Sequence, residues 1–258
     1  MASRSTNSSS AVKRSRGGKS QPRVDAQPAF ILHQYAWRET SRLLEVFSRD
    51  HGRISIVARG AQRAGSQLRG ALLAFQPLLI SWFGGGDVKT LHAADWQGGI
   101  AQPTGLPLLC GFYLNELLVR LMPREEPQPA LFAAYFEAIR QLAALPSAAG
   151  SEVEPILRGF ELALLAELGY GLELERDIQG APIAAGRSYD YIANQGLVDA
   201  GGQGGRLDGE VLLALRQGKL DDERALAQTK LLMRQALAAA LGDTPLHTRQ
   251  LLLDLQRL

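Results

Sequence analysis

The chain has 258 residues, 46% of them apolar, which is enough for one large domain or two modest ones with a sizeable core. Its single cysteine excludes an internal disulfide and a multi-cysteine zinc site, and no apolar run approaches the ~20 residues that a bilayer-spanning helix needs. The formal charge of +2 hides a gradient, with six Lys/Arg against one acid in residues 1–25, eight against five in 26–102, and fourteen against twenty in 103–258. A polyanion is attracted to the first hundred residues and repelled by much of the rest. The gradient therefore predicts two parts, a nucleic-acid-binding front and a separate rear.

Residues 1–25 are rich in Ser, Arg and Gly and have almost nothing to bury, so they are predicted to be a disordered basic tail. Such a tail is either plain solvated chain or an arm that adds nonspecific DNA affinity. Gly18-Lys19-Ser20 is not a phosphate loop, because Lys13 stands where that motif needs a glycine. The stretch lacks the apolar core of a signal peptide, which leads to the expectation of a soluble cytoplasmic protein.

Residues 26–102 read as short strands separated by turn signals. Phe30–Trp37 and Ser41–Ser48 are the first two. Asp50-His51-Gly52 turns into Arg53–Arg59, where apolar residues alternate with polar ones. Gly60–Gly70 is a loop, Leu72–Phe83 a long fourth strand, and Gly84–Asp87 a turn into a fifth, Val88–Trp96. Five antiparallel strands of this length need closure to protect their edges, so a small barrel is expected.

From Leu106 the apolar period becomes helical. Helices are predicted over Leu106–Met122, Pro129–Leu145 and Glu152–Leu168, stopped by Pro123, Pro146 and Gly169. Residues 172–205 lose that period and are glycine-rich, and Arg187–Ile192 with Gly196–Val198 read as a small hairpin. Helices resume at Leu207–Gln217, Asp222–Leu241 and Thr248–Leu258. Strands followed by helices place the chain in the α+β class.

No nucleophile elbow, carboxylate pair or Cys/His dyad is evident. The four histidines, His33, His51, His92 and His247, share no metal-ligand spacing. Cys110 lies in an apolar run and is read as a buried structural thiol. No active site, metal or cofactor is expected, which favours a binding protein. Arg53, Arg59, Arg63, Arg69 and Lys89 cluster in consecutive barrel strands and the loop between them. Guanidinium groups pair with phosphates and stack on bases, and Phe75, Trp82 and Trp96 add nearby aromatics. These five cations are the candidate DNA contacts.

The blocks Arg38–Leu44, Glu45–Ser48, His51–Ala61, Leu68–Leu72, Gly86–Leu91, Gly111–Leu118, Arg158–Leu165 and Leu168–Tyr170, in that order, resemble the RecO family of bacterial DNA repair proteins. The resemblance covers about residues 28–258 and leaves out the tail. It implies an N-terminal five-stranded OB-fold barrel (26–102) and an α-helical domain (103–258) with an insertion at about 172–205. It implies binding of single- and double-stranded DNA, annealing of complementary strands, and, with RecR, loading of RecA onto strands coated by the single-strand-binding protein SSB. Such work is not enzymatic, and it takes place in the cytoplasm at the nucleoid. The alternative is a protein–protein adaptor recruited by SSB with only incidental DNA contact. Some family members hold zinc with four cysteines in the helical domain. Residues 172–205 have no cysteine here, so no zinc is expected, and Tyr189, Tyr191, Ile192 and Leu197 are the candidates for holding the segment. The resemblance also implies a site for the acidic, apolar SSB tail, with Arg158 for a carboxylate and Leu157, Phe160 and Ile139 as its apolar pocket.

Overall fold

The computed structural model describes residues 22–251 except 203, 221, 243, 244 and 249. Short runs rich in apolar residues give β1 (Arg23–Trp37), β2 (Ser41–Ser48), β3 (Gly52–Ala58), β4 (Leu78–Phe83) and β5 (Val88–Trp96). They close into a barrel in the order β1-β2-β3-β5-β4. Neighbours are antiparallel except β3 and β5, which pair in parallel through Ser55–Val88, Ile56–Lys89 and Val57–Thr90. Ala29, Ile31, Leu44, Val46, Ile54, Ile56, Leu78 and Ile80 fill the interior.

Besides the parallel β3–β5 pair, where five antiparallel strands are expected, two strand boundaries in this half need correction. β1 begins at Arg23, so the last residues of the predicted tail are strand: Arg23 pairs with Phe83 and Val24 with Trp82. Residues 1–21, the rest of that tail, lie outside the described residues. The predicted strand Leu72–Phe83 is extended only from Leu78. Before it the chain forms one helical turn, α1 (Leu68–Ala71), and Phe75 adopts φ 66°, which breaks an extended run. Leu72 then joins the barrel core while Phe75 turns to the other side and packs with the helices.

β1 carries a bulge at Leu32. Ile31 pairs with Val46 and His33 with Glu45, leaving Leu32 extra. The bulge reverses the parity of the strand. Before it, odd-numbered Ala29 and Ile31 point inward. After it, Gln34 sits opposite inward Leu44, and His33, Tyr35 and Trp37 face out.

The rear half packs α2 (Gly105–Leu121), α3 (Pro129–Ala144), α4 (Val153–Glu167) and α6 (Glu223–Leu241) together. Their core does not stop at the domain boundary. Phe30, Leu32, Phe47 and Phe75 of the barrel's outer face belong to it, and Phe47 meets Phe132 with ring centroids 5.3 Å apart. Asn115 Nδ2 donates to the Leu32 carbonyl at 2.9 Å, and Tyr135 Oη donates to Asn115 Oδ1 at 2.6 Å. The bulge carbonyl is thus satisfied by the helical half.

The glycine-rich segment forms β6 (Ser188–Ile192) and β7 (Gly196–Asp199), the expected hairpin, and adds β8 (Leu207–Asp208) on the far side of β6. The helix predicted from Leu207 is therefore shorter, α5 (Gly209–Arg216). Glycine permits this close packing. A Cβ at Gly209 would lie 1.9 Å from the Ala184 carbonyl oxygen. Tyr189 and Leu197 are buried with Leu207, Val211 and Leu212, and Tyr191 is half-buried. Ile192 is exposed and does not hold the segment, because it ends the strand at the turn. Of the last predicted helix, Thr248, Gln250 and Leu251 are helical, and 249 and 252–258 lie outside the described residues.

Candidate functional site

The five barrel cations divide into two groups. Arg53 Nη1 donates to Glu45 Oε2 at 3.1 Å and its Nε to the Met122 carbonyl at 2.9 Å. Ser55 Oγ donates to Glu45 Oε1 at 2.7 Å, and Arg124 Nη2 reaches the same oxygen at 3.0 Å. Lys89 is buried, donates to the Gly86 carbonyl at 2.7 Å and pairs with Glu125. Arg53 and Lys89 are therefore committed to the seam between barrel and helices, where their charge is already met. That position withdraws both from the candidate DNA contacts.

Arg59, Arg63 and Arg69 are exposed, and none makes an ion pair among the described residues. They lie on one excursion of the chain, built of successive turns: Arg63 N donates to the Gly60 carbonyl, Ser66 N to Arg63, and Arg69 N to Ser66, each at 3.1 Å. Gly60 has φ 70°, and the Arg63 side chain lies across it. Gln62 fastens the excursion to the β1–β2 turn, with its backbone N donating to the Thr40 carbonyl at 2.9 Å and its Nε2 to Ser41 at 2.8 Å. No Asp or Glu occurs between Val57 and Gln76. The result is an exposed, uncompensated cationic edge at one end of the barrel, suited to a phosphate backbone.

Of the three aromatics named beside these cations, two are unavailable to a strand. Phe75 and Trp82 are buried, and exposed Trp96 donates its indole N–H to Gln76 at 2.8 Å. Tyr35 and Trp37 are also exposed, and Trp37 lies opposite Ser41 at the turn that Gln62 holds. Their signal in the sequence is the period-two row His33, Tyr35, Trp37, which plain alternation from Ala29 and Ile31 would place inside the barrel.

In the helical half, α2, α4 and α6 and the turn after α6 enclose a groove of about 730 Å³. Leu157 and Arg158 line it. Phe160 and Ile139 do not: they are fully packed in the helical core, Phe160 against the Tyr135 ring. Arg158 is buried, donating to Glu161 Oε1 at 2.9 Å and lying 3.6 Å from Glu154. Burial raises the Glu161 carboxyl above its ordinary range, against the pull of Arg158 and of the Tyr113 hydroxyl. Lys230 and Arg234 also line the groove from α6, and both are exposed at its mouth. Lys230 is paired with Glu154 at 2.6 Å, and Arg234 makes no ion pair among the described residues. Their four-residue spacing on α6 is the sequence signal for a shared face. Cys110 borders the same groove, and burial pushes its thiol up to about 12, so it is inert as a nucleophile at neutral pH.

The residues of the glycine-rich segment do not fit a zinc ion. Cys110 lies in the helical core instead, and Tyr189, Leu197 and Leu207 fill the place between the sheet and α5. No group of three or more His, Cys, Asp and Glu is placed to hold a metal among the described residues.

Fold and surfaces together define a two-part protein, a closed five-stranded barrel with an open cationic edge carried on a helical domain with a cation-rimmed apolar groove. Two family models match the chain, recombination protein O N terminal over residues 25–99 and recombination protein O C terminal over 103–249. The chain belongs to the RecO family. Among its curated relatives, the DNA repair protein RecO of Aromatoleum aromaticum is 49% identical over 241 residues, covering 92% of this chain and 98% of that protein. The DNA repair protein RecO of Chromobacterium violaceum is 49% identical over 248 residues, covering 93% and 99%. No helix among the described residues is long and apolar enough to cross a membrane.

Proposed function

We propose that this protein is a DNA-binding recombination mediator that holds single and double strands through Arg59, Arg63 and Arg69. The observation that carries the reading is the exposed cationic edge on a stretch of chain without acids, which family membership connects to DNA repair. Contact with phosphates alone holds strands without reading their sequence. Neutralising two backbones lowers their mutual repulsion, so complementary strands anneal on the protein. No substrate is turned over in this step. Together with RecR the protein helps to load RecA onto SSB-coated strands, in the cytoplasm at the nucleoid. The SSB tail docks in the helical groove, its apolar side against Leu157 and its carboxylates toward the exposed Arg234 and Lys230, while Arg158 is held beneath them by Glu161 and Glu154. The basic residues before residue 22 add nonspecific affinity.

The test is binding of a fluorescent single-stranded oligonucleotide across a salt series. Changing Arg59, Arg63 and Arg69 together to Ala should weaken binding and reduce the salt slope by about 2, at ~0.7 for each phosphate of a single strand that is no longer neutralised. Unchanged affinity would remove the barrel end as the site. A chain lacking residues 1–21 should keep most of the slope. If the slope collapses in that chain, the tail is the binding element instead.

The groove favours a second reading, an SSB-recruited adaptor in which DNA contact is incidental. Strand annealing with no partner present separates the two. Substantial annealing supports the mediator, and none supports the adaptor.

A further inference from the structure

We infer that Tyr35 and Trp37 form a stacking platform for unpaired bases, so that the barrel distinguishes single strands from duplex. The inference rests on the reading of the barrel end as a nucleic-acid interface. Three observations carry it.

The first is exposure. Tyr35 is 46% exposed and Trp37 40%, on a strand whose other large apolar residues, Phe30, Ile31 and Leu32, are buried. Leaving two aromatic rings in water is unfavourable unless something covers them. The second is the bulge at Leu32. Without it, strand parity would send both rings into the barrel interior. The Asn115 bond to the Leu32 carbonyl fixes the bulge, so the rings face out by construction of the fold. The Tyr35 ring is further held by His33, with centroids 4.3 Å apart.

The third is charge. Tyr35 lies opposite Leu43, which lies opposite Val57, and Trp37 lies opposite Ser41 at the turn to which Gln62 fastens the Arg59–Arg63 excursion. The rings and the unpaired guanidinium groups therefore share one end of the barrel. Arg38, exposed in the β1–β2 turn, adds a fourth cation, and Glu39 is the acid beside it. A protein partner of the helical groove is suited by cations around an apolar cavity. An open aromatic row beside an arginine row suits instead a flexible polyanion with flat apolar groups, which is an unpaired nucleic-acid strand. In a duplex the bases already stack on one another and offer only their edges. The cations hold either form, and the rings hold only the unpaired one.

The experiment compares the full-length protein with a Tyr35→Ala/Trp37→Ala variant on three probes: an oligothymidine, a sugar–phosphate strand of the same length without bases, and a duplex. The variant should lose about ten- to a hundredfold in affinity for oligothymidine. It should lose less than about twofold on the other two, with an unaltered salt slope, since every phosphate stays neutralised. Trp37→Phe, which keeps a ring, should retain most of the affinity and guards against misfolding as the cause. Equal losses on all three probes, or no loss on oligothymidine, would overturn the platform. Should the Arg59/Arg63/Arg69 variant bind all three probes like the parent, the underlying interface fails instead. The two failures are therefore distinguishable.

Discussion

Asn115 is a single residue on which two buried polar groups depend. It gives a hydrogen bond to the Leu32 carbonyl and takes one from the Tyr135 hydroxyl, and all three residues are buried. An unmet buried polar group costs about 1–3 kcal/mol, so Asn115→Ala should destabilise by roughly 2–5 kcal/mol in urea unfolding. Tyr135→Phe removes one partner and should cost about 1 kcal/mol. The arginines divide in the same way. Arg53→Ala leaves Glu45, which is 4% exposed, with Arg124 and Ser55 alone, and should cost about 3 kcal/mol, at the low end for breaking a buried pair. Arg59→Ala removes no pair and should stay within about 0.5 kcal/mol. If the two variants unfold at the same urea concentration, the distinction between seam arginine and surface arginine is wrong.

Elements differ in how they are held, and the segment after α6 shows it. Glu116 on α2 accepts from Thr248 N and Oγ1 and from His247 N, at 2.7–2.8 Å, and Arg120 stands 3.6 Å away. Desolvation raises this carboxyl, but the Thr248 and His247 donors and Arg120 outweigh it and hold it below the ordinary glutamate range. A carboxyl lowered in the folded state contributes its stability above the unfolded value of ~4.3, and that contribution is lost as pH falls through the lowered value. Amide exchange at His247 and Thr248 should therefore quicken on acidification below ~4, relative to α6. Glu116→Gln should quicken it already at neutral pH and abolish the dependence. At this scale much is legible in the residues. Proline and glycine stops place α2, α3 and α4 to within a residue or two, because they act through local backbone geometry. The run Leu72–Pro77 reads as strand yet is not one, because its apolar residues serve two different cores, which local alternation does not reveal. Arg59, Arg63 and Arg69 are legible as exposed cations. The half-burial of Arg53 and the burial of Lys89 and Arg158 are not, since each is covered by acids or helices distant in the chain or on another turn. Tyr35 and Trp37 are hidden by a bulge whose carbonyl is met by Asn115, some eighty residues away in sequence.

Across the whole molecule, barrel and helices share one continuous apolar core. Phe30, Phe47 and Phe75 are all fully buried by contact with the helical half. Calorimetry of the chain should therefore show one cooperative transition rather than two. A fragment ending near residue 102 should expose those rings, bind a hydrophobic dye and self-associate; a monomeric, dye-silent fragment would show that the barrel stands alone. The seam has a consequence for how such a protein can be exchanged between relatives. Met122, Arg124, Glu125 and Glu126 lie past the end of α2, yet they contact Arg53, Glu45, Lys89 and Gly52, where a Cβ would lie 2.0 Å from the Glu126 carbonyl oxygen. The heritable module of the barrel is thus discontinuous. A chimera joined in the linker at about residue 100 would mate one protein's socket with another's plug. One that also transplants residues 122–126 would carry both halves of the fastening from a single parent, and that is where a viable crossover should be found.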